Sequence, residues 1–204
     1  METLSENSVH QLSEGEFYLP YYNQETLTKE LAAVSNLESG MVVISGAVSR
    51  GKTHLLQSFV DQKIDQGLKV IVVASNHNEI QHADVVVYNL TDWKQRKEET
   101  GKVDAMLERI AAINPDVIVF DSMDYSEPLA MANSLAEQGK LVFAVTRTNY
   151  EDESNIAELF SRYSEIEGKD FSDKQNDLIS GIIHLDRSRI RSTEKSIVAK
   201  VLKP

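Results

Sequence analysis

Eight consecutive residues, Gly46-Ala47-Val48-Ser49-Arg50-Gly51-Lys52-Thr53, have the types and spacing that hold a polyphosphate. They fit G-x-x-x-x-G-K-[ST] at every fixed position. Without a Cβ, Gly46 and Gly51 allow backbone angles and close approaches that other residues hinder. The loop's N–H groups can then turn inward around anionic oxygens. Lys52 reaches the outer phosphates as a point charge, and Thr53 offers its hydroxyl to Mg2+. His54 follows at the start of a helix whose positive dipole end and first N–H groups also favour an anion. The ligand expected here is a nucleoside triphosphate, ATP or GTP, with Mg2+.

Phosphate chemistry needs a second carboxylate to hold Mg2+ through its water shell. Asp121 is the candidate, because it follows four apolar residues and so ends a buried strand; its competing role is a helix cap or turn. Asp124 stands nearby, either with the metal or as the cap of the next helix. Arg147, within Thr146-Arg147-Thr148-Asn149, either neutralises charge developing on the terminal phosphate or lies on a surface loop. Glu79 is placed to orient an attacking water. His77 and His82 invite a metal reading, but no clear ligand set surrounds them.

These residues need a scaffold that brings them to one edge. Met41–Ser45, Leu68–Ala74, Ala83–Tyr88, Asp116–Asp121 and Lys140–Thr146 read as strands. Their continuous apolar character suits a parallel sheet covered on both faces. Helices are predicted at Thr26–Ser35, His54–Gln66, Val103–Ile113 and Glu127–Gln138, with Asn114-Pro115 ending the third. The charged run Thr91–Lys102 reads as an exposed helix or lid-like connection. Strand and helix alternate, which predicts an α/β sandwich with right-handed crossovers. Ligands then sit at the carboxyl ends of the strands, where Gly46, Asp121 and Thr146–Asn149 fall. Beyond them, Asn155–Ile166 reads as a helix, and Leu178–Asp186 with Glu194–Leu202 as an antiparallel hairpin. The organisation expected is a polar N-terminal arm over 1–24, a nucleotide-binding core over 25–150 and a small C-terminal appendage over 151–204.

Composition narrows the functions further. The 204 residues carry a formal net charge of -11, which argues against broad nucleic-acid binding. The basic stretch Arg187-Ser188-Arg189-Ile190-Arg191 reads as the tip of a solvated hairpin, or as a contact with a partner or a neighbouring subunit's phosphates. The absence of cysteine excludes disulfides, thiolate catalysis and Cys-based zinc sites. No apolar run has membrane-spanning length, and the polar, acidic N-terminus does not read as a signal peptide, so a cytoplasmic location is expected.

Together these segments resemble the type II/type IV secretion ATPase superfamily, and most closely the type IV pilus retraction ATPases. Asn114-Pro115-Asp116-Val117-Ile118-Val119-Phe120-Asp121-Ser122-Met123 is similar to the family's N-P-D-[VI]-I-[LV]-[VI]-G-E-M segment. Gly139-Lys140-Leu141-Val142-Phe143-Ala144-Val145-Thr146-Arg147-Thr148 is similar to G-H-L-V-[FL]-x-T-L-H-T. The resemblance covers most of residues 40–149 and is weaker at Ile182–Val201. It implies a RecA-like phosphate-loop NTPase fold, ATP with Mg2+, and a hexameric motor or a hetero-assembly with a related ATPase. The partner it implies is an inner-membrane pilus or secretion platform protein.

The departures from the family fall on chemistry. Ser122 stands where the family has its Walker B glutamate, and Asp121 replaces the glycine before it. The two family histidines fall on Lys140 and Arg147. The acidic E-D-P-[IV]-E box falls near Ser75–Glu79, with most of its acids absent. Few residues precede Gly40, so the family's N-terminal domain is expected to be missing. An intact loop with a depleted hydrolytic set implies a weakly hydrolysing motor subunit, or a nucleotide-binding regulator of a related motor. A kinase or partition-type nucleotidase of the same broad fold is a third reading.

Overall fold

A computed structural model describes Leu31 and residues 33–74, 80, 86–89, 102–123, 126–146, 178–187 and 197–202. Among the described residues, elements run in the order β1 (Gly40–Ser45), α1 (Lys52–Asp65), β2 (Val70–Ala74), β3 (Val86–Asn89), α2 (Lys102–Ile113), β4 (Val117–Phe120), α3 (Ser126–Glu137), β5 (Leu141–Val145), β6 (Ile179–Arg187) and β7 (Ile197–Leu202). The strands form one seven-stranded sheet in the order β3-β2-β4-β5-β1-β6-β7. All neighbours are parallel except β6 and β7. The fold is the α/β sandwich that strand–helix alternation requires.

Alternation along each strand sorts the core into two layers. Val42, Ile44, Val117, Val119, Phe143 and Val145 face α1 and pack on its Leu55, Leu56, Phe59 and Val60. Met41, Val43, Ile118, Phe120, Val142 and Ala144 face the other way, onto Met106 and Ile110 of α2 and Leu129, Met131, Ala132 and Leu135 of α3. The Phe59 and Phe143 rings stack with centroids 4.8 Å apart and planes 17° off parallel. Such a pair adds about 0.5–1.5 kcal/mol beyond the area it removes from water.

Element ends have local causes. Strand β2 begins at Val70 rather than Leu68, because Leu68 N–H donates to the Lys63 carbonyl and completes the helix exit. Lys69 N–H donates to the Asp116 carboxylate at 2.8 Å. The Asn114-Pro115-Asp116 segment is likewise structural. Asn114 ends α2 in the left-handed region (φ 48°), and its side-chain oxygen accepts from Lys140 Nζ at 3.0 Å. Lys140 also donates to the Pro115 carbonyl at 2.9 Å. These residues lie at the amino ends of the strands, so Lys140, which aligns with a family histidine, is remote from the phosphate loop.

The C-terminal hairpin expected from sequence is present and continues the central sheet, with β6 seated beside β1. Residues 1–30 and 151–177, with the predicted arm and the helix Asn155–Ile166, lie outside the described residues, as does nearly all of Thr91–Lys102.

A buried cation ties α1 to the segment before β1. Lys63 is 3% exposed and donates to the Leu37 carbonyl at 3.1 Å. Burial pushes its pKa below the ordinary 10.5, and the nearby Glu38 opposes that shift. Between the lowered folded value and 10.5 the unfolded chain binds more protons, so raising the pH stabilises the fold in that window. Urea unfolding of wild type and Lys63→Met should therefore diverge there, wild type gaining relative stability as the pH rises towards 10.5. A constant difference across that window would contradict the assignment.

Candidate phosphate-binding site

The site is built where β1 passes into α1. Gly46 leaves the strand at φ 135°, Ser49 takes φ 61° and Gly51 takes φ 88°. Gly51 is the N-cap of α1 in the left-handed region, and no side chain caps the helix start. The first turn holds no acidic residue, so nothing there offsets the positive end of a 14-residue helix. Leu55 N–H already bonds the Gly51 carbonyl at 3.0 Å, which starts the helix at Lys52, two residues before the sequence-based boundary.

The Lys52 side chain is covered (8% exposed). Nζ donates back to the carbonyls of Gly46 at 2.5 Å and Ala47 at 2.7 Å. The ammonium thus bridges the two ends of the loop from inside. Around it Gly46 is buried, Ala47, Arg50, Gly51 and Thr53 are half-buried, and Val48, Ser49 and His54 are exposed.

Asp121 directly follows β4, half-buried, with its N–H donating to the Val73 carbonyl of β2 at 3.3 Å. Strand β5 alone separates β4 from β1, so Asp121 and the root of the loop are about 10 Å apart across the sheet. Thr146, at the end of the intervening strand, is 1% exposed, and its N–H donates to the Ile44 carbonyl at 3.0 Å. Gly46, Asp121 and Thr146 therefore share one edge, as the sequence implies. Glu79, Arg147, Asp124, His77 and His82 lie outside the described residues.

The donor set fits magnesium. In phosphate sites Mg2+ takes one or two protein oxygens and completes its shell with phosphate and water. The Thr53 hydroxyl, at the start of α1, and the Asp121 carboxylate, just after β4, are hard oxygen donors of the kind such a shell takes. Next to Asp121, Ser122 is 3% exposed and carries no ionisable oxygen.

Sequence reasoning missed the contribution of β6. Ser45 Oγ, the last side chain of β1, lies 2.9 Å from His184 Nδ1. Gly46 rests on the main chain of Leu185: a Cβ at Gly46 would stand 2.3 Å from the Leu185 carbonyl oxygen. The one available signal was a polar residue inside each of two apolar runs, Ser45 after Met41–Ile44 and His184 within Ile182–Leu185.

No family model matches the sequence, and no curated protein matches it. Solved structures do match its fold. The pilus retraction motor PilT with bound ADP superposes with TM-score 0.64 at 19% identity, over 90% of this chain and 52% of that one. The VirB11 ATPase of the Brucella suis type IV secretion system, in complex with sulphate, gives 0.61 at 13% identity, over 84% of this chain and 50% of that one. The flagellar accessory protein FlaH from Methanocaldococcus jannaschii gives 0.54 at 14% identity, over 80% of this chain and 78% of that one. The chain thus spans about half the length of PilT and VirB11. At these identities the likeness is one of fold, a RecA-like α/β architecture that the chain shares with PilT and VirB11.

Proposed function

We propose that this chain binds Mg·ATP in the loop 46–53 and hydrolyses it slowly, as a subunit of a pilus or secretion machine. The observation that carries this reading is the loop itself: an uncapped helix start with Lys52 Nζ held inside on the Gly46 and Ala47 carbonyls. A polyphosphate entering the loop offers that ammonium stronger, anionic acceptors than two neutral carbonyls. Mg2+, when bound, would neutralise charge on the phosphate oxygens, with Thr53 and Asp121 as its protein donors. Glu79 and Arg147 complete the proposed set, one orienting water and the other neutralising the terminal phosphate. In this reading residues 25–150 form the nucleotide core, with β6 and β7 extending its sheet, and the chain works from the cytoplasmic face of the inner membrane. Its partners are further copies of itself, as in a hexameric ring, or a related ATPase, docked on a membrane platform protein. Among the described residues no helix is long and apolar enough to cross a membrane.

Ser122 favours a second reading, a nucleotide-binding regulator that does little chemistry. A serine hydroxyl, unlike the glutamate carboxylate it replaces in the resemblance, is far too weakly basic to serve as a general base. The likeness to FlaH, described as an accessory protein and matched over 78% of its length, supports the same possibility.

Steady-state phosphate release, with sizing in the presence and absence of nucleotide, separates the two. A motor subunit shows ATP-dependent assembly and turnover below the ~10 per second typical of enzymes. A regulator binds without measurable release. Turnover at or above that typical value would contradict both.

A further inference from the structure

We propose that His184 is a positioning residue for the phosphate loop, tying the β6–β7 hairpin to nucleotide binding. The inference rests on the nucleotide reading above and adds a residue and an element to it.

The geometry is a short chain of contacts. Ser45 is 1% exposed and immediately precedes Gly46. It and His184 are register partners across the parallel β1–β6 pair, with Oγ and Nδ1 2.9 Å apart. One residue on, Gly46 lies against the Leu185 main chain so closely that even a methyl group would collide. Strand β6 therefore fixes the root of the loop at two consecutive residues, once by a polar bond and once by main-chain packing. The Gly46 carbonyl then accepts from Lys52 Nζ, the cation that meets the phosphates. A displacement of β6 along its axis moves Gly46, and with it the seat of the ammonium. Strand β6 also pairs with β7, where His184 stands opposite Lys200, so a load on the hairpin reaches the same bond.

The pair is only partly open to solvent: Ser45 is 1% exposed and His184 is half-buried. A buried hydroxyl costs free energy unless it is bonded. His184 supplies that bond and sets the direction of the Ser45 side chain, either tautomer serving because a hydroxyl can donate or accept. If its role were only structural, removing it would lower the melting temperature and leave the affinity of the folded protein unchanged.

The test is equilibrium titration of Mg·ADP into wild type, His184→Ala, His184→Asn, Ser45→Ala and the Ser45→Ala/His184→Ala double variant, well below their melting temperatures. His184→Ala and Ser45→Ala should each weaken binding about three- to tenfold, the effect of one net hydrogen bond. Asparagine places an amide near the Nδ1 position, so His184→Asn should return to within about twofold of wild type. The double variant should bind no more weakly than either single variant. Wild-type affinity in folded His184→Ala or in Ser45→Ala, or a double variant that loses the product of the single effects, overturns the coupling alone. A wild type that binds neither Mg·ADP nor Mg·ATP overturns the nucleotide reading and this inference with it. Should His184→Ala not fold, Ser45→Ala and His184→Asn still decide.

Discussion

Lys52→Ala is expected to lose Mg·ATP affinity by about two orders of magnitude or more, because truncating one partner of a buried, hydrogen-bonded charge pair costs roughly 2–5 kcal/mol. Lys52 is the cation fixed inside the loop, with its side chain already covered and its ammonium at the loop's own carbonyls. Little further ordering is needed for it to meet a phosphate, so most of its charge-assisted bonding counts towards affinity. The fold should survive. The substitution removes two bonds to carbonyls, worth about 1.5–3 kcal/mol each when the donor is charged. It also relieves the desolvation of a covered ammonium, which offsets part of that loss. Paired thermal melts and nucleotide titrations check both statements. An alanine variant that binds as wild type does would remove Lys52 from the site, and one that fails to fold would show its role to be structural first.

Gly46→Ala should destabilise the fold by about 3 kcal/mol, from left-handed backbone strain of roughly 1–3 kcal/mol and overpacking of similar size. At φ 135° an L side chain is strained wherever it finds space, and here it finds none. The atom in the way is the main-chain oxygen of Leu185, which cannot swing aside as a side-chain tip can. Relief requires β1 and β6 to separate where the loop begins, so nucleotide affinity should fall together with stability. A shift of the urea midpoint to lower denaturant is the expected reading. An unchanged midpoint would mean that β6 is not seated against Gly46.

The parts of this molecule that were legible in the sequence are those set by local pattern. Met41–Ser45, Val117–Phe120 and Leu141–Val145 are buried on both faces, and such strands read as uninterrupted apolar runs. The turn between β1 and α1 was legible because two glycines at fixed spacing mark it, and both take positive φ. Asp121 followed from its place after four apolar residues, and its position at the strand end agrees. Boundaries moved where side chains or unusual backbone intervened: Gly51 starts α1 early, and the bond from Lys69 N–H to the Asp116 carboxylate holds both residues outside their strands.

What escaped the sequence is non-local. Ser45 and His184 are 139 positions apart, and nothing near either residue says which edge of the sheet the hairpin joins. The covered position of Lys52 is of the same kind. Its place in the loop pattern does not say that its ammonium bonds the loop's own carbonyls.

The most direct measurement is calorimetric titration of the wild-type chain with Mg·ATP and, separately, Mg·GTP. Saturable heat with one nucleotide per chain, abolished in Lys52→Ala, is the predicted result. Flat titrations with both nucleotides, from protein shown to be folded, would contradict the claim that residues 46–53 hold a polyphosphate.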